Sequence, residues 1–269
     1  MQYWRWSLEW FVACAEGRYA RAEELMRPAL ERAMSLRNGF VPILATLQLA
    51  DAVFGQGDRA EADQLYLDAL QRGQALGAPL LACLALLGRG RVAEQRGENP
   101  RALVLADEAL RLAYEEGFQR LIPRTYVMLG HTQAGLGRFA AAAESFTKAL
   151  EYELVFAHSA RVAADSVALA AIRHAQGDRT GAIGVIAPQL TLLLGGPLTG
   201  MDEPIRTLLS AAETLRAAGD PRAEQLIARA KHELAHRTEL VRSERRDTFL
   251  SGIPAHRALT NGAKTMGIW

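Results

Sequence analysis

Cysteine is scarce in this chain: 269 residues hold two, Cys14 and Cys83. Each falls inside an apolar pattern of helical spacing, which excludes a disulfide framework and implies core thiols in a reducing cytoplasm. Long apolar runs are missing as well. No stretch approaches the ~20 continuous apolar residues that a membrane-spanning helix needs. The opening MQYWRWSLEWF carries Arg5 and Glu9 and lacks a small-residue cleavage site, unlike a secretory signal. Neither charge sign is in excess, with 31 basic residues against 30 acidic ones, so no electrostatic argument points to nucleic acid or an anionic membrane. No phosphate-binding P-loop, G-x-S-x-G elbow or C-x-x-C pair occurs. Runs of β-branched residues are absent too, which argues against a sheet.

What remains is a helix-forming composition with 49% hydrophobic residues, enough to bury a large core. Ala, Leu and Arg are the most frequent residues, all strong helix formers. The chain also repeats itself. Glycine-centred turns recur at Gly17, Gly57, Gly97, Gly137, Gly177 and Gly219, at intervals of 40, 40, 40, 40 and 42 residues. Each turn separates two segments whose apolar residues recur near 3.6. The fourth unit shows why. Small residues at Gly130, Ala142 and Ala149 let two antiparallel helices approach closely, and Phe146 fills the space between them. The second unit repeats the arrangement with Ala50, Gly57, Ala62, Tyr66 and Ala69. In the sixth the phase slips by one, to Ala223, Ile227 and Ala230.

This small/aromatic/small spacing around a Gly turn resembles the tetratricopeptide repeat (TPR), over roughly residues 3 to 249 and in six units. The usual TPR period is 34 residues, so the extra six imply longer helices. In this the chain is similar to the TPR-like sensor arrays at the C-terminal end of bacterial signal-transduction (STAND) NTPases and MalT-like transcription regulators. The resemblance implies an all-α fold, a right-handed α-solenoid of six helix pairs. Helices are expected at about 3–16, 18–37, 41–56, 58–76, 80–96, 99–116, 120–136, 138–156, 159–176, 179–194, 201–218 and 221–250. Breaks fall at Asn38-Gly39, Gly77-Ala78-Pro79, Gly117-Phe118, near His158 and at Gly195-Gly196-Pro197. No linker divides the chain, which gives one repeat domain over 1–251 and a C-terminal tail over 252–269.

The first helix carries Tyr3, Trp4, Trp6, Trp10 and Phe11, a wide apolar arc where a free-standing solenoid should present a polar face. Either these aromatics pack on the helix after Gly17, or Trp4, Trp6, Trp10 and Phe11 form an N-terminal interface. That interface would meet a preceding repeat, an upstream NTPase module in the same polypeptide, or a second copy in a homo-oligomer. At the other end, residues 245–250 and 253–257 resemble the segment that closes such arrays in large bacterial ATPase regulators.

Two strings invite an enzyme reading. His232-Glu233-Leu234-Ala235-His236 fits the H-E-x-x-H zinc pattern, but both histidines fall about 180–220° from the buried stripe Ala223, Ile227, Ala230, Leu234 and Val241, out where no cleft walls exist. Gly88-Arg89-Gly90-Arg91-Val92-Ala93 fits a loose dinucleotide fingerprint, but that motif needs a preceding strand and Leu80 to Leu87 reads as helix. Its glycines are expected to permit close helix packing. The run Arg242, Arg245 and Arg246, interleaved with Glu239, Glu244 and Asp247, reads as a solvated helix face. No catalytic residue, metal or cofactor is assigned, and the expected function is non-catalytic binding of a protein or peptide.

In TPR-like arrays the first helix of each pair lines the concave surface. Residues 13, 10, 6 and 3 places before each turn glycine share one face, which selects Asp51, Arg91, Glu94, Arg124, His131 and His174 as a polar row within a layer of Leu44, Leu47, Leu84, Leu87 and Val127. Such a row either binds an extended segment or satisfies itself as ion pairs. The carboxylate clamp of chaperone-binding TPR proteins is not matched, since the face carries Ser7, Phe11, Asp51, Leu84 and Gly88. The expected role is the sensor or effector-binding part of a larger NTPase or regulator. The alternatives are a free-standing adaptor and, remotely, a zinc hydrolase.

Overall fold

The computed structural model describes residues 2–36, 39–156 and 158–262, and among them every regular element is helical. Six antiparallel pairs follow one another: α1 (Gln2–Ala15) with α2 (Tyr19–Met34), α3 (Phe40–Gly55) with α4 (Arg59–Leu76), α5 (Pro79–Gln95) with α6 (Asn99–Glu115), and α7 (Ile122–Gly135) with α8 (Phe139–Phe156). In the fifth pair α9 (Ser159–Ala175) faces α10 (Arg179–Ile186) and α11 (Leu190–Gly195). The sixth joins α12 (Pro204–Ala217) to α13 (Arg222–Glu239), and two short helices follow, α14 (Arg246–Gly252) and α15 (Pro254–Thr260). Along the body each helix packs on its chain neighbours, and the first helices of consecutive pairs also touch, as in a solenoid. The architecture is that of an all-α solenoid of TPR-like helix pairs.

Local chemistry explains the pairing. All six turn glycines have φ between +73° and +87°, a left-handed conformation that glycine adopts without steric cost. Asp58 and Asp178 cap the following helices by accepting from the backbone N–H of Glu61 and Gly181 at 3.0 and 2.8 Å. Between the helices small residues make room for rings. A Cβ at Gly130 would lie 2.8 Å from the Phe146 ring, and one at Gly88 would lie 2.2 Å from Tyr66, so the Gly88–Gly90 string is a packing device. Phe146 and Tyr66 are among the largest fully buried side chains.

Two expected helices are interrupted. The span 179–194 contains a 3-10 turn at Ala187–Gln189, where Pro188 removes a backbone donor. The span 221–250 ends at Glu239 and resumes after a second 3-10 turn at Ser243–Arg245. There the backbone leaves the helix because its partners lie elsewhere: the Arg242 N–H donates to Gln56 Oε1 at 3.5 Å and Arg245 reaches the second and fourth helices. The break expected at Asn38 lies outside the described residues, as do 263–269.

His232 and His236 are exposed, and Glu233 bonds Arg237 at 2.5 Å. No described helix is long and apolar enough to cross a membrane.

Candidate functional site

The superhelix closes on itself. Glu23 of α2 is fully buried, a position a carboxylate occupies only with charged partners around it. It has them. Arg27 bonds it at 2.7 Å, the Gln56 amide donates to it at 2.6 Å, and Arg245 and Arg242 approach from the far end of the chain at 3.3 and 3.5 Å. Arg245 also reaches Glu61 at 2.6 Å. Arg242 and Arg245 are therefore not a solvated helix face: tertiary pairing with residues of α2 and α4, at the other end of the chain, overrides the local alternation of charge. Arg59 donates to the Gly252 carbonyl, the Gly200 N–H to the Ala15 carbonyl at 3.2 Å, and Gln95 to Glu203 at 2.6 Å.

Closure turns the concave groove into a cavity of about 730 Å³, walled by the first helices of the pairs, by the segment 200–206 and by α15. Asp51, Arg91, Glu94, Arg124 and His131 all line it, as their shared helix face requires. His174 is half-buried on α9 and does not reach it. Of the aromatics, Trp10 and Phe11 border the cavity. The Trp10 indole donates to the Gln48 carbonyl at 2.8 Å, and Trp6 packs on the core, while Trp4 and Phe11 stay 59% and 61% exposed.

The polar row is largely self-paired. Asp51 accepts from the Tyr66 hydroxyl at 2.6 Å and lies 3.8 Å from Arg91, whose guanidinium stacks 4.5 Å above the Phe54 ring. Arg206 bridges Glu94 and Glu203, each at 3.0 Å, and meets His131 Nδ1 at 3.0 Å. A guanidinium can only donate, so His131 Nδ1 accepts and the ring is neutral. Burial and the Arg206 charge accordingly push the His131 pKa well below its ordinary value. Burial works against the charge on Glu203, yet Arg206 and Arg91 hold its carboxyl down at about 2. Glu94 is driven upward by burial against the pull of Arg206. Arg124 differs, since among the described residues it makes no hydrogen bond or ion pair while lining the cavity.

Reasoning from the turn glycines missed part of this wall. Asp202 and Glu203 lie in the loop before α12, outside any helix face, and the Asp-Glu-Pro string at a helix start was the only signal. Arg161 sits near the start of α9, and His256 comes from beyond the last repeat.

A tetratricopeptide-repeat model matches residues 123–154, the fourth pair, where the small/aromatic/small spacing is sharpest. No curated protein matches the sequence. Solved structures do match by fold. A Rap protein complexed with Competence and Sporulation Factor has a TM-score of 0.71 at 14% identity, over 97% of this chain and 74% of that one. NprR in complex with its cognate peptide NprX gives 0.64 at 14%, over 91% and 68%. A Pyrococcus horikoshii STAND protein with a tetratricopeptide repeat sensor gives 0.58 at 18%, over 93% of this chain and 39% of that one.

Proposed function

We propose that this chain is a non-catalytic receptor for an extended peptide or protein segment, held in the central cavity, and that it serves as the sensor part of a bacterial signal-transduction NTPase or transcription regulator. The carrying observation is the cavity itself: about 730 Å³, closed by the returning C-terminal segment and lined by ionised groups of both signs beside Phe54 and Trp10. A self-satisfied ion-pair row needs no chamber around it. A peptide backbone, by contrast, offers donors and acceptors to both signs at once. Two of the structural neighbours were solved with a bound factor or peptide, which supports the reading.

Arg124 supplies the test because removing it disturbs no internal bond. The full chain and Arg124→Ala are immobilised and offered a random hexapeptide library, with retained peptides quantified by mass spectrometry. Loss of one charge-assisted contact should weaken retention by about 1–3 kcal/mol with unfolding unchanged. Failure of the unmodified chain to retain any peptide defeats the proposal, and equal retention by both proteins removes Arg124 from the site.

A further inference from the structure

A second, smaller cavity of about 120 Å³ opens beside the first and shares eight lining residues with it, the bases Arg91, Arg124, Arg161, Arg206 and His131 and the acids Glu94, Asp202 and Glu203. One water occupies only about 10–15 Å³ on this measure, so the space is that of a side chain. Two further acids, absent from the lining of the larger cavity, form part of its wall: Glu153 near the end of α8 and Asp165 in α9. They are 1% and 5% exposed, and Glu153 Oε2 and Asp165 Oδ2 are buried without any hydrogen-bond partner. The other Glu153 oxygen lies 3.6 Å from Arg161, beyond hydrogen-bond range. Neither acid serves the helix pair. Glu153 stands four residues after Ala149 on the buried stripe of α8, where an apolar residue would pack at no electrostatic cost.

Buried carboxylate oxygens without donors are costly and uncommon in folded proteins, and two lining one side pocket of a binding chamber define what would complete them. We infer that this pocket takes a cationic group of the bound segment, an ammonium or guanidinium that donates to Glu153 and Asp165, while the free Arg124 at the junction of the two cavities donates to the same ligand's carbonyl or carboxylate oxygen. Several N–H donors on one small cation match two separate acceptors, which a neutral amide or a water does less completely. Burial and the neighbouring Glu153 charge hold the Asp165 carboxyl well above its usual range, as expected of an acid site without its cation. The inference rests on the peptide reading above and adds the ligand's charge.

The cation has two sources, a Lys or Arg side chain or the segment's amino terminus, and the probes separate them. Hexapeptide pools with one position fixed as Arg, Lys, norleucine or Glu, each with a free or an acetylated amino terminus, are retained on the immobilised full chain. About tenfold enrichment of acetylated Arg or Lys pools over norleucine identifies a side chain. About tenfold loss on acetylation across all pools identifies the terminus. Either preference should vanish in Glu153→Gln and Asp165→Asn, which keep shape and remove the acid, while thermal unfolding holds or rises because buried carboxylate oxygens without donors have gone. Retention indifferent to charge and acetylation, preference for Glu pools, or a basic preference surviving both substitutions overturns the inference and leaves peptide binding standing. No retention of any pool overturns both.

Discussion

At Gly97, Gly137, Gly177 and Gly219 the left-handed turn between paired helices faces open space, whereas at Gly17 and Gly57 the chain's own C-terminal region lies against it. A Cβ at Gly57 would come within 3.0 Å of both the Phe249 Cα and the Thr248 carbonyl, and one at Gly17 within 2.5 Å of the Arg237 guanidinium. The same glycine thus does one job in the body of the array and two where the array closes. Repeats held only by neighbours keep a solenoid open-ended. The contacts that make a chamber of this one are long-range, and several of them are charged. Binding and closure should therefore be separable from folding of the repeats, and breaking the closure is the way to find out.

Removing Arg245 should have the largest effect. Its guanidinium sits between Glu23 and Glu61, and the Glu23 carboxylate is wholly withdrawn from water. Stranding that charge costs about 3–5 kcal/mol when a buried partner is deleted, here reduced because Arg27 and Gln56 remain on it. Arg245→Met should lower the denaturation midpoint clearly and release residues 246–262 to rapid amide exchange while α5 to α8 stay protected. Uniform loss of protection along the chain would show that closure and repeat packing are one cooperative unit.

The paired glycines sharpen the comparison at smaller cost. Gly97→Ala places a side chain at φ +74°, worth about 1–2 kcal/mol. Gly57→Ala carries the same penalty and must also displace the backbone at Phe249, adding about 1–3 kcal/mol of overpacking. Chemical denaturation of both variants measures the difference. Equal losses would mean the C-terminal segment gives way freely at Gly57.

The array was legible in the sequence because TPR-like packing is local: a turn glycine, a small residue and a ring at fixed offsets meet within one helix pair. The concave row followed from helix geometry alone, and five of its six members line the cavity. The closure was not legible. Arg242 and Arg245 alternate with acids as surface residues do, and only the buried Glu23, in a stripe with Ala22 and Met26, hinted that a cation must arrive from elsewhere. His174 lies near the C-terminal end of α9 and misses the cavity, which α9 reaches through Arg161 near its start. Asp202 and Glu203 fall within the span expected as helix 201–218, but α12 begins at Pro204 and leaves them in the preceding loop.

The smallest effect concerns acid. His256 of α15 is buried against the Phe249 ring, 4.4 Å between centroids, and its Nδ1–H donates to the Phe249 carbonyl at 2.9 Å. Burial lowers its pKa to about 4 from the ordinary 6.5; the carbonyl and the Glu203 charge resist the shift, while Arg237 and Arg59 add to it. The folded state thus prefers the neutral ring, and the unfolded chain binds the proton more readily between pH 4 and 6.5. Stability from this group is complete above pH 6.5 and declines as pH falls toward 4. Between pH 7 and 6 the loss is under about 1 kcal/mol. Because α15 walls the cavity, protonation should loosen the closing segment before the repeats. Amide exchange in 246–262, followed from pH 7 to 5 in the native chain and in His256→Asn, isolates this histidine from the others. The native segment should lose protection as acid is added while the variant's protection stays flat, and parallel acid responses in the two would assign the effect to the carboxylates around Arg245 instead.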